Sequence, residues 1–500
     1  MTGSTIRPQL LCRLKSGART STTAVLPGNF IADTLPHTAT ATATATAASN
    51  NHGVNFSDTK ELFSSVSSAN MLRSLIMLRL ASSAPVADLG MWIMKSRLMD
   101  IPLCRKAVFG ITERTFYRQF CAGEDLTAAS ATARELWDSG RTAMLDYGLE
   151  HANDNESCDV NMEEFLRTIQ STKSGNESPI SFVVVKVTAI CPVRILKRVS
   201  DLLRWQHKDK SLHLPWKLQS LPLLADSSPL YHTAKRPAAF TAEEERDLEA
   251  AYARMANICR NSIDASLPIL IDAEDTAIQP AIDYLTYAAA VEFSSGEEEP
   301  LIFNTIQGYL KDAKDRMVMA KNAADEMRVG LGIKLVRGAY MASENHLAES
   351  LGVESPIHDS IQNTHRCYNE CADFMLHQIS RGSGSLVLAT HNMESGKMAA
   401  AKAVDLGIDK DSKRLHFAQL YGMAEALSFG LRNSGFRVSK YLPYGPVDQI
   451  IPYLLRRAEE NRGLLSASSF DRSLMRNELT RRLKSPPVHG KAMPIPTSQL

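Results

Sequence analysis

Polar and charged side chains follow a series of short apolar segments along the central and C-terminal parts of this sequence. The candidates are Lys186, Asp272, Glu274, Asp275, Gln307, Lys334, Arg337, Tyr340, Thr390, His391, Tyr421 and Tyr441. Taken singly, each has a structural explanation, such as a helix cap for Asp272 or a satisfied core histidine for His391. A buried cation is costly unless it is paired, so cations and carboxylates that emerge together imply mutual pairing or a charged ligand.

Two short motifs carry more specific information. In the segment Lys334–Tyr340, the pair Gly338-Ala339 has side chains small enough for a large flat ligand to approach the backbone. In the second motif, Arg456 and Arg457 are adjacent on a predicted helix, and Glu460 lies one turn from Arg456. Adjacent arginines can bind a carboxylate or phosphate in a bidentate manner. An isolated pair is more often a solvated patch, but Tyr441 at the end of the preceding predicted strand favours a site.

The elements that must position these residues form an alternating pattern. Eight segments rich in apolar and β-branched residues are separated mostly by helix-forming sequence: Thr142–His151, Phe182–Thr188, Pro268–Glu274, Leu301–Gln307, Gly332–Tyr340, Ser385–Asn392, Leu415–Gly422 and Phe436–Gly445. Such alternation predicts an α/β protein with a parallel sheet, and eight strands close a TIM-like (β/α)8 barrel. A doubly wound open sheet would also alternate, but no GxGxxG follows the first strand. Functional residues of a barrel lie at the carboxyl ends of its strands.

The remaining regions divide the chain further. Residues 1–55 are basic, rich in Thr and Ser and of low complexity, which indicates mitochondrial import, with plastid import or a disordered tail as alternatives. Residues 56–141 have apolar side chains at helical spacing and predict an N-terminal α-helical region that packs on the barrel domain, residues 142–482. Within that domain, residues 206–240 predict a surface insertion, followed by a capping box at Thr241 and Glu244. Residues 483–500 form a C-terminal tail.

Composition excludes several classes of protein. The 500 residues carry a formal net charge of +1, so no overall field attracts nucleic acid. The most apolar stretch is interrupted by Arg73, Arg79, Asp88 and Lys95, which argues against a transmembrane helix. The eight cysteines show no CxxC or zinc-ribbon spacing, and we expect neither disulfides nor a bound metal.

Seven motifs in order along the chain resemble the motif series of FAD-dependent proline dehydrogenase. They are Ile271-Asp272-Ala273-Glu274, Thr305-Ile306-Gln307, Lys334–Tyr340, Ala389-Thr390-His391-Asn392, Leu420-Tyr421-Gly422-Met423, Tyr441-Leu442-Pro443 and Leu455-Arg456-Arg457. The resemblance runs from about Asp58 to Arg482 and is closest to plant mitochondrial members. The family fold is a distorted (β/α)8 barrel, in agreement with the predicted strands.

The resemblance implies oxidation of L-proline to Δ1-pyrroline-5-carboxylate, the first step of proline catabolism to glutamate. Hydride would pass from the ring carbon beside nitrogen to FAD, and electrons would then pass to ubiquinone of the mitochondrial inner membrane. It also implies a location on the matrix side with peripheral membrane contact, and expression linked to osmotic stress.

The resemblance further assigns residues to the substrate. Arg456 and Arg457 would bind the proline carboxylate, and Lys186 would add positive charge beside it. Tyr441 and Leu420 would pack on the proline ring. Asp272 would lie at the floor of the site and orient the cationic groups, and Glu460 would hold an arginine in place.

For FAD, the resemblance places Gln307 and Lys334 at the isoalloxazine. It places along the flavin edge and phosphates the residues Val336, Arg337, Gly338, Ala339 and Tyr340. It places at the rest of the dinucleotide Thr390 and His391. Two positions depart from the bacterial pattern: Lys334 replaces an arginine, and Met341 replaces a tryptophan beside the flavin. A lysine lacks the planar fork of arginine, so hydrogen bonding to the flavin should differ there.

Two other functions remain compatible with the sequence. A flavin dehydrogenase for hydroxyproline or another cyclic amino acid would need only a modest change of the pocket around Tyr441. A barrel that binds a metabolite or partner as a regulator would need no flavin, although all the site positions carry chemically suitable residues.

Overall fold

The computed structural model of the chain describes residues 54–172, 178–294, 296, 299–463 and 467–484. Nearly all of the predicted import segment 1–55, and residues 485–500 of the predicted tail, lie outside the described residues. Leu483 and Lys484 are the last residues of a helix.

Eight parallel strands close into a barrel in which each strand pairs with the next and the eighth pairs with the first. The strands are β1 (Thr142–Tyr147), β2 (Ile180–Val185), β3 (Ile269–Ile271), β4 (Ile302–Gln307), β5 (Gly332–Val336), β6 (Ser385–Ala389), β7 (Leu415–Leu420) and β8 (Val438–Tyr444). The predicted (β/α)8 barrel and all eight predicted strands are confirmed. Most strands end earlier than predicted, because the polar residues at their carboxyl ends belong to the loops that follow.

The alternation of side chains along each strand explains why the barrel is apolar inside and charged at its mouth. Phe182 fills the interior, with its ring 5.0 Å from that of Phe303 and 5.1 Å from that of His416. Successive side chains of a strand point to opposite faces. Residues separated by an even number of positions along a strand therefore lie on the same face. Lys186, four residues after Phe182, and Asp146, two residues after the buried Met144, thus lie on the interior side.

Helices precede the barrel and surround it. The N-terminal region contains α1 (Thr59–Leu62), α2 (Ser68–Ala81), α3 (Ala84–Lys95), α4 (Pro102–Thr112), α5 (Arg118–Phe120) and α6 (Leu126–Asp138). A 3₁₀ turn (Arg97–Asp100) follows α3, and a π-helical turn (Glu113–Tyr117) follows α4. The barrel domain contains α7 (Asn155–Gln170), α8 (Val187–Ile190), α9 (Val193–Lys208), α10 (Ala242–Asp264), α11 (Gln279–Phe293), α12 (Ala313–Met327), α13 (Met341–Leu351), α14 (Ile361–Ser380), α15 (Met393–Asp405), α16 (Glu425–Asn433), α17 (Val447–Gly463) and α18 (Ala467–Lys484).

The N-terminal region is helical as predicted, but the apolar side chains of α2 do not all face the protein interior. Leu72, Ile76 and Leu80 are 50%, 46% and 38% exposed. The inward stripe of this helix is instead the one that carries Met71 and Leu78, which are buried. Residues four apart lie on one stripe of a helix, so the row Leu72–Ile76–Leu80 is an apolar line on the outside of the protein.

The predicted insertion begins in the last turn of α9 and continues without regular structure to α10. Its Leu214 and Leu221 are buried, and Trp216 stacks on Phe240 with ring centroids 5.0 Å apart. The predicted capping box starts α10: Thr241 Oγ1 accepts a bond from the Glu244 amide, and Glu244 accepts one from the Thr241 amide. The insertion therefore packs against the barrel helices rather than extending into solvent.

Candidate active site at the barrel mouth

Five side chains from five strands or strand ends form one network at the carboxyl end of the barrel: Asp146, Lys186, Asp272, Lys334 and Tyr441. Lys186 Nζ lies 2.5 Å from Asp146 Oδ1 and 3.3 Å from Asp272 Oδ2. Lys334 Nζ lies 2.5 Å from Asp272 Oδ1, and the hydroxyl of Tyr441 donates to Asp272 Oδ2 at 2.7 Å. Lys186 also donates to Tyr441 Oη at 3.1 Å. Asp272 is thus the centre of the network, with two ammonium groups and a phenol around it.

The charges of this network stabilise one another despite their burial. Burial alone would raise the pKa of Asp272, but Lys334 and Lys186 lower it well below its usual range. Burial alone would lower the pKa of Lys186, but Asp146 and Asp272 raise it. Burial raises the pKa of Asp146 and raises that of Tyr441 well above its ordinary value. Lys186 and Asp272 are therefore charged at neutral pH, and Tyr441 is a neutral hydrogen-bond donor.

Arg456, one of the predicted carboxylate-binding arginines, is held by a carboxylate that the sequence analysis missed. Its two terminal nitrogens donate to the two oxygens of Glu150 at 2.9 and 2.5 Å. Burial would raise the pKa of Glu150, but Arg456 and Lys186 lower it, so the pair is ionised. Arg456 also lies over the ring of Tyr340, 5.9 Å from its centroid. The spacing of Glu150, four residues after Asp146, is the signal that could have revealed both acids.

The remaining residues predicted to contact substrate are Arg457, Leu420 and Glu460. Arg457 is buried on the same helix turn as Arg456, and its guanidinium lies 4.8 Å from the ring centroid of Tyr453. Leu420 at the end of β7 is the register partner of Tyr441 on β8, so the two side chains lie on neighbouring strands at the same height. The Glu460 side chain lies outside the described residues, and its expected role as an arginine partner stays a prediction.

Glu274, a predicted candidate at a strand end to which no role was assigned, is buried. Its carboxyl group accepts a 2.7 Å hydrogen bond from Thr188, and its backbone carbonyl accepts one from the Gln307 amide at 2.8 Å. Burial raises the pKa of Glu274 to about 8, although the Thr188 hydrogen bond opposes this. Below that pH the side chain is neutral, so it adds no negative charge beside Glu150.

Arg337 joins the loops that follow β5 and β6. Its guanidinium donates to Thr390 Oγ1 at 2.7 Å, to Ser395 Oγ at 2.8 Å and to His365 Nδ1 at 3.0 Å. The Cζ atom of Arg337 also lies 4.2 Å from the centroid of the Tyr368 ring. All three of these hydrogen-bond partners are neutral or held neutral, because burial and Arg337 itself lower the pKa of His365.

His391 presents a donor to the same region. Its Nε2 accepts a 3.1 Å hydrogen bond from the Leu420 amide. Burial, together with the charges of Lys440 and Arg457, lowers the pKa of His391 to about 3. A neutral imidazole that accepts at Nε2 carries its proton on Nδ1. His391 is therefore fixed as an Nδ1–H donor.

Gly338 has a structural requirement as well as the ligand role expected of it. Its φ is +131°, and a Cβ at this position would lie 2.1 Å from ring carbons of Tyr309. Tyr309 is in turn fixed by its amide, which donates to the Arg337 carbonyl at 2.8 Å. The glycine thus allows the segment after β5 to pass closely beside the end of β4.

This donor set fits an anionic dinucleotide. Arg337 is a largely buried cation whose pKa is lowered by burial, and its described hydrogen-bond partners are all uncharged. Such a cation is costly without a counter-charge, and a pyrophosphate would supply one. Lys334 and the Nδ1–H of His391 add further donors. Gln307 completes the set at the end of β4.

A family model for proline dehydrogenase matches residues 129–471. The chain belongs to the proline dehydrogenase family. This match covers the whole barrel and the arginines of α17, and it confirms the family resemblance seen in the seven motifs. Membership of the proline dehydrogenase family implies a flavin cofactor.

Three relatives show how far this similarity extends. The chain is 54% identical over 433 residues to "Proline dehydrogenase 1, mitochondrial" of Arabidopsis thaliana, covering 86% of this chain and 87% of that protein. It is 31% identical over 428 residues to the hydroxyproline dehydrogenase of Bos taurus, covering 83% of this chain and 90% of that protein. Among solved structures, proline utilization A of Bdellovibrio bacteriovorus superposes with a TM-score of 0.56 at 20% identity, covering 79% of this chain and 37% of that chain. The last similarity is one of fold.

Proposed function

We propose that this member of the proline dehydrogenase family oxidises L-proline to Δ1-pyrroline-5-carboxylate with FAD as its cofactor. The observation that carries the proposal is the cluster of fixed cationic groups at the barrel mouth, where Lys186 and Lys334 share Asp272 and Arg456 is held by Glu150. Glu274 is neutral below about pH 8 and adds no negative charge there. Ammonium and guanidinium groups held at the end of an apolar barrel suit a small ligand with one carboxylate.

Arg456 and Arg457 bind the proline carboxylate in this proposal, and Lys186 adds positive charge beside it. A guanidinium has five N–H donors, and Glu150 uses two of those on Arg456. The remaining donors are available to substrate, while Glu150 fixes the orientation of the group. Anchoring the carboxylate in this way converts binding energy into orientation of the reacting ring carbon.

Tyr441 and Leu420 form the wall against which the proline ring packs. They are register partners on β8 and β7, and the Tyr441 hydroxyl is fixed by Asp272 and Lys186. A fixed aromatic ring beside a leucine excludes water from the ring carbon next to nitrogen. Bound FAD supplies the acceptor for the hydride that leaves this carbon.

The residues that hold FAD lie on the side of the mouth formed by β4, β5 and β6. In this proposal Gln307 and Lys334 contact the isoalloxazine, and Val336 to Tyr340 line the flavin edge and phosphates. Arg337, Thr390 and His391 supply donors for the rest of the dinucleotide. The amine of zwitterionic proline must lose its extra proton before hydride leaves, so turnover should rise as the amine of bound proline is deprotonated.

Electrons pass to ubiquinone, and the N-terminal helices provide the contact with the inner membrane on its matrix side. Among the described residues, none of the helices is both long and apolar enough to cross a membrane. Half of the large apolar side chains that the described residues expose lie between positions 72 and 111, on α2, α3, α4 and the turn between them; the most exposed are Leu103 (78%), Ile111 (65%) and Trp92 (61%). The exposed Arg79, Arg105 and Lys106 accompany them, which suits an anionic bilayer surface.

The mitochondrial location of this chain is part of the proposal. It is supported by the basic, Thr- and Ser-rich composition of residues 1–55 and by the name of the Arabidopsis relative. A fusion of residues 1–55 to a fluorescent protein should enter mitochondria, and retention in the cytosol or import into plastids would contradict this part of the proposal.

The test of the reaction is turnover with identification of the product. We expect the purified protein, supplied with FAD and a soluble quinone, to convert L-proline to the pyrroline carboxylate, which mass spectrometry detects as the loss of two hydrogens. Trans-4-hydroxyproline under the same conditions tests the alternative substrate. A higher kcat/KM for hydroxyproline than for proline would show that hydroxyproline is the preferred substrate. No turnover of either compound would reject the proposed reaction.

A further inference from the structure

The insertion between α9 and α10 contacts a loop of the barrel mouth through the segment Tyr231–Thr233. His232 Nε2 lies 2.8 Å from the hydroxyl oxygen of Thr276. Thr276 belongs to the loop that begins with Asp272 directly after β3. The insertion, whose composition predicts only a surface loop, thus contacts the loop that carries Asp272, the centre of the active-site network.

The same threonine is bound from the other side by α13. The Thr276 amide donates to Glu344 Oε1 at 2.6 Å, and the Thr276 hydroxyl donates to Glu344 Oε2 at 2.5 Å. Because a hydroxyl has only one proton and Thr276 uses it for Glu344, His232 must be the donor to Thr276 Oγ1. Burial and the charge of Arg204 lower the pKa of His232 to about 3, which leaves a neutral ring with its proton on Nε2.

Further hydrogen bonds from α9 hold the residues around this contact. Arg204 on α9 is buried and donates to the Thr276 and Ala277 carbonyls. Thr233 of the insertion donates to Asp201, which is also the acid nearest to Arg204. The hydroxyl and both backbone groups of Thr276 are therefore engaged, and the insertion provides one of the partners.

The geometry points to His232 as a positioning residue of the active site: it holds the loop after β3 against the start of α13. This inference rests on the proposed function, because that loop carries Asp272 and Glu274, and α13 begins directly after Tyr340. Asp272 orients Tyr441 and Lys186. Loosening the loop should therefore weaken proline binding more than it slows turnover.

The experiment compares three variants of the full chain loaded with FAD. His232→Ala removes the donor, His232→Gln places an amide N–H near the position of Nε2, and His213→Ala changes an exposed histidine elsewhere in the insertion. We expect His232→Ala to raise the KM for proline about fivefold with kcat changed less than twofold. His232→Gln should return the KM to within twofold of wild type, and His213→Ala should leave it unchanged.

A second measurement separates this inference from the proposed reaction. Hydrogen–deuterium exchange of the amides of residues 273–279 needs no turnover, and we expect it to be at least fivefold faster in His232→Ala than in His213→Ala. If the wild type did not oxidise proline, the proposed function would fail while the exchange result would still decide the positioning role. Equal exchange and equal KM in the two alanine variants, or no recovery in His232→Gln, would overturn it.

Discussion

The hydroxyl of Tyr441, on β8, donates a 2.7 Å hydrogen bond to Asp272, which directly follows β3. These two strands are not neighbours in the barrel, so the bond spans its mouth. Lys186 contacts both residues, 3.1 Å from the phenol oxygen and 3.3 Å from the carboxylate. The network thereby fixes the position of the Tyr441 ring above the apolar interior of the barrel. The position of this ring in turn determines where a small ring-shaped substrate can lie.

Removal of this hydroxyl should weaken substrate binding. In Tyr441→Phe the ring remains, but Asp272 and Lys186 each lose a partner, and hydrogen bonds to charged groups contribute about 1.5–3 kcal/mol. We expect the KM for proline to rise about tenfold or more. Tyr444→Phe is the matched control, because that hydroxyl lies 2.6 Å from Thr168 Oγ1, away from the network. An equal KM in both variants would show that the Tyr441 hydroxyl has no part in the site.

Substitution of the arginines should affect proline and spare the flavin. We expect Arg456→Met or Arg457→Met to raise the KM for proline about a hundredfold, since loss of a buried charge partner costs about 2–5 kcal/mol. The flavin absorbance of the purified protein should stay unchanged. Because Arg456→Met leaves Glu150 unpaired, the double variant Arg456→Met/Glu150→Gln controls for stability. Unchanged saturation by proline in both single variants would contradict the carboxylate assignment.

Glu274 should make the stability of the protein depend on pH. Its pKa is about 8 in the folded chain, so between its ordinary value and pH 8 the folded state holds a proton that the unfolded state has released. The stabilisation by this proton is complete at low pH and is lost as the pH rises through 8. From pH 6 to 8.5 we expect the free energy of unfolding to fall by about 2–3 kcal/mol more in wild type than in Glu274→Gln. Denaturant titrations at the two pH values measure this, and parallel curves for the two proteins would refute it.

A side chain at position 338 should disrupt the segment that lines the flavin. Gly338→Ala forces a Cβ into the Tyr309 ring at a positive φ, and we expect a loss of about 3 kcal/mol or more with poor flavin retention. Gly352→Ala is the control, because its φ is +64° but nothing lies within 4 Å of the added Cβ. It should cost only about 1 kcal/mol. Thermal unfolding and the ratio of flavin to protein absorbance distinguish the two, and similar values would show that the contact with Tyr309 is not tight.

The exposed apolar N-terminal helices should bind anionic membranes. We expect wild-type protein to sediment with vesicles that contain anionic phospholipid, and Leu103→Glu to reduce the bound fraction at least fivefold, because it places a charge on the most exposed apolar side chain of this region. Val160→Glu changes a comparably exposed apolar residue on α7 and should bind like wild type. Equal binding by both variants would exclude this surface.

The barrel could be predicted from the sequence because its signal is local. Each strand is a short apolar run, and the polar residues at its carboxyl end, such as Lys186 and Asp272, mark the mouth. The acids Asp146 and Glu150 were missed for a physical reason. Asp146 interrupts an apolar run, and its place inside the barrel shows only when Lys186 from the next strand is brought 2.5 Å away.

Other parts of the site depend on contacts between distant parts of the chain. The pair Arg456–Glu150 joins α17 to the end of β1. The spacing of Asp146 and Glu150 could have indicated two acids at one strand end, but it does not indicate which cation pairs with Glu150. The contact of His232 with Thr276 likewise follows from the path of an irregular segment whose composition predicts only a surface loop. The orientation of α2 is another example, because periodicity shows that an apolar row exists without showing which way it faces.

The most direct test of the account is a visible absorption spectrum of the purified protein, recorded anaerobically before and after addition of L-proline. We expect an oxidised-flavin band that proline bleaches, and we expect bleaching to need far more proline in Arg456→Met. A flavin band that proline leaves unchanged would contradict the proposed substrate. The absence of flavin binding, even after FAD is added back, would contradict the proposed enzyme.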